Sequence, residues 1–200
     1  MAADEALLEL SDLPVLRLYT WARPSTSFGY FGKFSEAEAL GDGRDIVRRW
    51  TGGGMVLHEH DITYALIIPR HEAAFALGAR EVYHRVHVSL QAALARAGLA
   101  AELVRQARAK VSEACFANPV PADLLLDGRK IAGAAQRRTR RGLLQQGSIQ
   151  HEKLPVEMAA QFARALSHTV QEVELSDPVR QRAAELSRDK YGTVEWLRRR

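Results

Sequence analysis

The sequence is poor in several features that would each point to a class of protein. It has a single cysteine, Cys115, so no disulfide can form within the chain. No apolar run approaches the roughly 20 residues that a membrane-spanning helix needs, and no N-terminal stretch resembles a secretory signal peptide. We therefore expect a cytoplasmic protein that has no membrane partner.

Metal-site spacing and internal repeats are also missing. His58 and His60 are close in the sequence, but no pair of His or Cys residues has the spacing of a zinc site. No unit of roughly 20–50 residues recurs along the chain. The sequence therefore predicts neither a metal centre nor a repeat architecture.

The composition that remains is that of an ordinary globular protein. The 200 residues are 46% hydrophobic and 26% charged, with a formal net charge of +4, which suits one domain with a real core. We expect a single domain over residues 1–200, with no C-terminal accessory domain. The small net charge of the whole chain does not favour a nucleic-acid-binding protein.

The pattern of apolar residues predicts strands first, one long helix among them, and helices at the end. Alternation predicts strands at residues 15–21, 45–49, 61–69, 101–104, 130–137 and 142–146. Helical spacing predicts helices at residues 2–10, 78–97 and 155–167, another from about 177, and a last turn or two after 192. The Asp127-Gly128 pair predicts a hairpin turn. This order predicts an α+β fold with a mixed, largely antiparallel sheet packed with helices.

The most distinctive stretch, residues 48–58, reads Arg-Arg-Trp-Thr-Gly-Gly-Gly-Met-Val-Leu-His. Glycines lack a Cβ, so such a loop can bring its backbone amides close to a ligand. An adjacent arginine can hold a carboxylate or phosphate through charge-assisted hydrogen bonds. A plain glycine-rich hairpin flanked by surface charge would give the same pattern, so this stretch alone decides nothing.

A second stretch, residues 128–138, reads Gly-Arg-Lys-Ile-Ala-Gly-Ala-Ala-Gln-Arg-Arg. Its lysine, Lys130, stands in a strand whose other residues are mostly small. Small neighbours let a substrate lie directly against the backbone, and the ammonium presents one compact charge to a carbonyl or carboxylate.

Together these stretches resemble the catalytic domain that lipoate-protein ligases share with octanoyltransferases, within the biotin/lipoate protein ligase superfamily. The matching strings are Arg-Arg-x-Thr-Gly-Gly-Gly-x-Val-x-His before an Asp-x-Thr-Tyr strand, Asp-Gly-Arg-Lys-Ile-Ala-Gly-x-Ala-Gln-Arg, and Leu-x-Gln-Gly-Ser-Ile at residues 144–149. The resemblance covers nearly the whole chain. It implies a biotin/lipoate ligase-like fold and acyl transfer onto a lysine of a lipoyl carrier protein or lipoyl domain.

The resemblance also implies roles for particular residues. Lys130 would contact the acyl carbonyl or acyl phosphate. The residues that would bind the acyl substrate are Arg49, Thr51, Gly52, Gly53, Gly54, His58, Gly133, Ala134, Ala135 and Gln136. We expect His58 to line this pocket without transferring a proton.

Two mechanisms occur among the proteins that the chain resembles. Ligases activate free lipoate or octanoate with ATP and magnesium as an acyl-adenylate. Octanoyltransferases take the acyl group from acyl carrier protein through a cysteine thioester and need no cofactor. One cysteine-dependent subfamily has Cys-Phe-x-x-Pro about 15 residues before the lysine, as Cys115 stands before Lys130. We therefore favour a transferase with Cys115 and Lys130 as catalytic residues.

Two observations keep other interpretations of these residues open. A lone cysteine is commonly a small buried hydrophobe, which is the alternative role of Cys115. Gly54 stands where many cysteine-type transferases have an arginine, so the ATP-dependent ligase remains the alternative function.

A basic cluster follows the lysine strand and consists of Arg137, Arg138, Arg140 and Arg141. Carrier proteins have acidic surfaces, so we expect this cluster to dock the carrier. An RNA-binding module is the alternative from another class. It would leave Lys130 unexplained, and the sequence indicates no stacking aromatic near the cluster, so we expect no specific nucleic-acid partner.

Three further histidines carry no predicted function. They are His60, His84 and His87, and we expect all of them at the surface.

Overall fold

Two β-sheets of unequal size organise the fold. The structure is a computed structural model that describes residues 1–40, 43–106, 119–151, 154–155 and 157–199. Its strands are β1 (Val15–Tyr19), β2 (Ser25–Phe28), β3 (Asp45–Arg48), β4 (Val56–His58), β5 (Ile62–Pro69), β6 (Glu102–Leu103), β7 (Leu124–Leu126), β8 (Arg129–Arg138) and β9 (Gly142–Ile149). Its α-helices are α1 (Ala2–Leu10), α2 (Phe34–Glu38), α3 (Ala79–Arg96), α4 (Met158–Leu166), α5 (Asp177–Leu186) and α6 (Val194–Arg198).

The large sheet has the strand order β1-β5-β9-β8-β7-β6, and each neighbouring pair is antiparallel. The strands β7 and β8 are joined by the predicted hairpin. Asp127 and Gly128 have φ angles of 49° and 75° there, the left-handed conformation that a two-residue hairpin turn requires. Helices α3 and α5 also fall where the sequence predicts them.

Alternation along the strands gives the large sheet two buried faces. On one face, side chains such as Tyr64 and Leu143 pack with Leu90 of α3 and Phe162 of α4. On the other face, Ala65, Ile67 and Leu144 pack with residues of α1 and α5. Both faces are therefore covered by helices over part of their area.

The small sheet has the order β3-β2-β4, with β2 parallel to β3 and antiparallel to β4. It meets the α1 side of the large sheet, where Thr51 Oγ1 donates to Gln146 Oε1 of β9 at 2.9 Å. The predicted α+β fold with a mixed, largely antiparallel arrangement of strands is confirmed. The sequence did not predict α2, the 3₁₀ turn Ala73–Ala76 or the π-helical turn Ser187–Tyr191.

None of the described helices is long and apolar enough to cross a membrane. Within the same described ranges, no group of three or more His, Cys, Asp or Glu residues is placed to hold a metal ion.

Candidate functional site

A cavity lies between the small sheet and strands β8 and β9 of the large sheet. The empty space between its walls is about 420 Å³, a figure that includes space open to solvent. Its lining residues are Met1, Ser27, Arg49, Gly53, Val56, His58, Thr63, Gly133, Ala134, Ala135, Gln146, Gly147 and Ser148. Most of the surface that these residues expose to the cavity is apolar, so the cavity suits an alkyl chain better than a charged ligand.

Six of the ten residues predicted to bind substrate line this cavity: Arg49, Gly53, His58, Gly133, Ala134 and Ala135. The others lie outside the lining. Thr51 is fully buried, and its hydroxyl is bonded to Gln146. The carbonyls of Gly52 and Gly54 accept hydrogen bonds from Arg49. Gln136 donates to Gln145, whose own amide reaches Tyr64 on the α3 side of the sheet.

Arg49 holds the glycine loop, which we define as residues 51–54. Its Nη2 donates to the Gly52 carbonyl at 3.1 Å and to the Gly54 carbonyl at 2.7 Å. Gly53 has a φ of 88°, a left-handed conformation in which a side chain would be strained. A Cβ at Gly53 would also lie 3.4 Å from the Cβ of Ala135. The loop thus approaches β8 closely because its central residue is glycine.

A hydrogen-bonded chain runs from Asp61 through His58 to Ser27. Asp61 Oδ2 lies 2.7 Å from His58 Nδ1, and His58 Nε2 lies 2.6 Å from Ser27 Oγ. Because the carboxylate can only accept, Nδ1 carries the proton and Nε2 accepts from the Ser27 hydroxyl. Ser27 Oγ in turn accepts from Arg49 Nη1 at 2.7 Å. We call these four side chains the polar relay.

Burial and bonding set the charges in the polar relay. Burial lowers the pKa of His58, although its hydrogen bond with Asp61 acts in the opposite direction. For Asp61, burial alone would raise the pKa, but hydrogen bonds from His58, Ser148 and Thr63 hold it below its usual value. At neutral pH the histidine is therefore neutral and the aspartate ionised. Trp21 stacks on the His58 ring, with 4.2 Å between ring centroids, and fixes the imidazole plane.

The predicted catalytic lysine does not line the cavity itself but forms a buried ion pair next to Gly133, which does line it. Lys130 Nζ lies 2.7 Å from Asp123 Oδ2, and the two side chains are 2% and 0% exposed. Asp123 also accepts from the Val120 amide at 2.7 Å and from the Tyr83 hydroxyl at 2.5 Å. A buried charge is tolerated when it is paired and its remaining lone pairs are bonded, as they are here. Burial and the nearby carboxylate raise the pKa of Tyr83, so its hydroxyl keeps its proton and donates.

A β-bulge turns Lys130 toward the cavity wall. Leu124 pairs with Ala132 and Leu125 pairs with Lys130, so Ile131 is an extra residue on β8. The extra residue shifts the alternation and puts Lys130 on the face that carries Gly133. A Cβ on Gly133 would lie 2.8 Å from Lys130 Nζ. The ammonium therefore occupies the space that glycine leaves beside the cavity.

Cys115, the other predicted catalytic residue, lies outside the described residues. The described chain resumes at Pro119, and the next residue, Val120, donates to Asp123. The segment that carries the cysteine thus joins the described chain next to the Lys130–Asp123 pair.

Sequence reasoning missed several residues of the site. Tyr83 and Ser27 carried no recognisable signal, because they meet Asp123 and His58 across 40 and 31 residues of sequence. Asp123 lies only seven residues before Lys130, but no local pattern marked the two as partners. Asp61 belonged to the Asp-x-Thr-Tyr string after the glycine loop, and its position three residues after His58 was a usable signal.

Most arginines of the basic cluster contact other residues of this chain. Arg137 lies over the rings of Tyr30 and Trp50, at 4.7 and 4.5 Å from their centroids. Arg138 lies over Phe75 and donates to the Phe75 and Leu77 carbonyls. Arg141 donates to the Glu9 carbonyl at 3.0 Å, and Arg138, Arg140 and Arg141 are all exposed. The expectation that no aromatic lies near this cluster is wrong, because Tyr30, Trp50 and Phe75 reach it from distant parts of the sequence.

The expectation for His87 is also wrong. His60 and His84 are exposed as predicted, but His87 is fully buried. Its Nδ1 donates to the Ala122 carbonyl at 2.5 Å, and its Nε2 accepts from the Tyr64 hydroxyl at 3.0 Å. Burial lowers the pKa of His87 to about 4. It therefore stays neutral and anchors α3 next to Asp123.

Comparison with known proteins identifies the family of the chain. Residues 1–189 match the family model described as the lipoyl protein ligase A/B catalytic domain. The chain belongs to this family. An octanoyltransferase LipM of Carboxydothermus hydrogenoformans is 39% identical over 160 residues, which cover 74% of this chain and 59% of the relative. The chain thus spans about three fifths of the length of the relatives it matches.

Two solved structures share the fold at 20% sequence identity, each aligned over 98% of this chain and 91% of its own. One is a T. acidophilum protein with bound lipoic acid, at a TM-score of 0.80. The other is a lipoate-protein ligase A bound with ATP, at 0.78. The predicted ligase-like fold is confirmed by these matches.

Proposed function

We propose that the chain transfers an octanoyl or lipoyl group onto a lysine of a lipoyl domain through a thioester on Cys115. One observation carries the proposal: a buried lysine–aspartate pair adjoins Gly133, which lines an apolar cavity. The only cysteine of the sequence precedes Val120, whose amide is bonded to Asp123, by five residues. The relatives of this chain that are named octanoyltransferase support the same reaction.

The reaction consists of two acyl transfers that need no oxidant and no nucleotide. The Cys115 thiolate attacks the carbonyl carbon of an octanoyl thioester, a new C–S bond forms, and the donor thiol leaves as a thiolate that takes up a proton. The amine of the acceptor lysine then attacks the acyl-cysteine. A C–N bond forms, the Cys115 sulfur leaves, and the amine nitrogen gives up its proton.

Lys130 stabilises negative charge in both steps. Its Nζ lies 2.7 Å from Asp123 Oδ2, and this ion pair fixes the position of the ammonium. Such a fixed positive charge stabilises the oxyanion of each tetrahedral intermediate. The same charge also favours the thiolate form of a nearby cysteine.

The chain length between the two residues is compatible with this role. Cys115 precedes Val120 by five residues, and five residues of fully extended chain span at most about 18 Å. Because the Val120 amide is bonded to Asp123, the proposed nucleophile is tethered within that reach of the ion pair.

The glycine loop and β8 hold the acyl chain in this proposal. Gly53, Ala135 and Gly147 line the cavity, and none of them projects a side chain larger than a methyl group. Because protein interiors are close-packed, the space between these walls sets the length of chain that fits. The acyl donor is an acyl carrier protein thioester, and the acceptor is a lipoyl domain. The exposed Arg140 is the member of the basic cluster best placed to meet an acidic carrier.

An ATP-dependent ligase is the competing function. Gly54 favours it, because many cysteine-type transferases have an arginine at the corresponding position. In a ligase, Lys130 would bind the acyl phosphate and Cys115 would be dispensable. ATP and magnesium would then be required.

The decisive experiment supplies each donor separately and measures intact mass. With octanoyl-acyl carrier protein, we expect an octanoyl adduct on the wild-type protein and none on Cys115→Ser. The adduct should then pass to a lipoyl domain. Transfer only from free octanoate with ATP and magnesium, retained in Cys115→Ser, would establish the ligase instead.

A further inference from the structure

The helix α6 packs against the residues that lead into the glycine loop. The family match ends at residue 189, so α6 (Val194–Arg198) lies beyond it. Thr193 caps this helix, since its Oγ1 accepts from the Trp196 amide at 3.1 Å.

Arg48 connects α6 to the turn at residues 29–32. Its side chain is 1% exposed. Its Nε donates to the Leu197 carbonyl at 3.1 Å, and its Nη2 donates to the Arg199 carbonyl at 2.7 Å. Its Nη1 donates to the carbonyls of Tyr30 and Gly32, both at 2.8 Å. One buried guanidinium thus holds two separate segments of backbone together.

The turn at residues 29–32 in turn touches the glycine loop. The Tyr30 amide donates to the Thr51 carbonyl at 2.8 Å. A Cβ on Gly29 would lie only 2.2 Å from the Gly53 carbonyl oxygen. Backbone packs directly on backbone here, so a shift of the turn would shift the loop.

Trp196 makes a second contact between α6 and the residues that precede the glycine loop. It is 8% exposed, and its indole Nε1 donates to the Arg48 carbonyl at 3.1 Å. Its ring lies under the Lys190 ammonium at 4.5 Å, and the same ammonium is 4.4 Å from the centroid of Trp50. Arg48 and Trp50 flank Arg49, whose guanidinium holds the glycine loop.

From these contacts we propose that α6 is a positioning element for the acyl-binding wall, acting through Arg48 and the turn at residues 29–32 on the glycine loop. The proposal rests on the proposed function for the identity of the ligand. Its mechanical part, the coupling of α6 to the loop, does not depend on that function. In this arrangement α6 touches no substrate and changes only how well the loop is held.

Hydrogen–deuterium exchange tests the coupling without any substrate. In Trp196→Ala, we expect exchange about tenfold faster in peptides covering residues 29–33 and 48–55, because the indole hydrogen bond and its packing are lost. Exchange in residues 129–149 should not change. Val194→Ala is the matched control on the same helix, since Val194 is 68% exposed. Unchanged exchange at residues 48–55 in Trp196→Ala would overturn the coupling.

A milder variant covers the case in which Trp196→Ala fails to fold. Trp196→Phe keeps an aromatic ring but removes the Nε1 donor, so the same peptides should exchange faster by a smaller factor. If both variants exchange like the wild type, or if exchange increases uniformly along a folded chain, the proposal is wrong.

Acyl transfer tests the consequence for the site. Trp196→Phe should raise KM for the octanoyl donor severalfold and leave kcat near the wild-type value, because a loosened wall weakens binding without touching Lys130. A severalfold fall in kcat with an unchanged KM would contradict a positioning role. If exchange responds as expected but the wild-type protein transfers no acyl group, the coupling stands and the proposed function fails.

Discussion

The two walls of the cavity are built on different principles. At the β8 wall, a full positive charge is buried against Asp123. At the small-sheet wall, a neutral histidine links Asp61 to Ser27, and the charge of Arg49 is directed at the carbonyls of its own loop. The Lys130 ammonium is held by a carboxylate next to Gly133, which lines the cavity, whereas the Arg49 guanidinium is bonded to carbonyls that shape the glycine loop. We therefore propose that the first wall serves catalysis and the second serves substrate fit.

Replacing the lysine should give the largest effect. Lys130→Met removes the charge and should lower the rate of acyl transfer by about 10²- to 10³-fold, the usual cost of losing an oxyanion-stabilising donor. It also leaves Asp123 buried without its cation, which should destabilise the fold by about 3–5 kcal/mol. Kinetics and urea unfolding measure the two effects.

A double variant separates chemistry from stability at this wall. Lys130→Met with Asp123→Asn removes both charges, so most of the lost stability should return while the activity stays low. Activity that returned together with stability would show that Lys130 matters only for folding.

The buried histidine behind the β8 wall predicts a pH dependence of stability. The pKa of His87 is about 4 in the folded state and about 6.5 in an unfolded chain. Between these values the unfolded state binds a proton that the folded state does not, so stability falls as pH falls. The loss attributable to His87 should total about 3 kcal/mol from pH 7 to pH 4.

Urea unfolding at several pH values measures this loss. His87→Gln lacks the imidazole and should show a shallower decline than the wild type over the same range. An NMR titration in which His87 takes up a proton near pH 6.5 would refute the assignment.

A methyl group at Gly133 should disturb the β8 wall without unfolding it. The Cβ of Gly133→Ala would lie 2.5 Å from Lys130 Cε, and the flexible end of the lysine can move away. We expect acyl transfer to fall about tenfold, with less than about 1 kcal/mol lost in stability. Gly78→Ala is the matched control, because no atom lies within 4 Å of its added Cβ. If Gly133→Ala and Gly78→Ala were equally active, the exact position of Lys130 would not matter for catalysis.

The smallest effect is expected at the small-sheet wall. Ser27→Ala removes the hydroxyl that connects Arg49 to His58, so the glycine loop should be held less firmly. We expect KM for the octanoyl donor to rise up to about tenfold, with kcat nearly unchanged. A fall in kcat as large as that of Lys130→Met would place the polar relay in the chemistry and erase the contrast between the walls.

The sequence predicted the features that depend on local patterns. The alternation along residues 61–69 and 142–146 identified two central strands, and Asp127-Gly128 identified the turn between β7 and β8. The glycine string identified the loop at the cavity because only residues without a Cβ permit such close approach.

The sequence could not predict features that depend on an irregular strand register or on contacts between distant residues. Asp123 became important because a bulge at Ile131 turns Lys130 toward it, and no local pattern marks that bulge. His87 was expected at the surface, but its partners Tyr64 and Ala122 reach it across 23 and 35 residues of sequence. Arg137 likewise stacks on rings from two other segments.

The central claim is that an acyl chain lies between the glycine loop and β8, and photoaffinity labelling tests it most directly. An octanoyl thioester with a diazirine near its terminal carbon would be irradiated with the wild-type protein, and the labelled peptides mapped by mass spectrometry. We predict labels within residues 48–58 and 129–149, at positions that line the cavity. Labels confined to other surfaces, and not displaced by unmodified octanoyl thioester, would contradict the account.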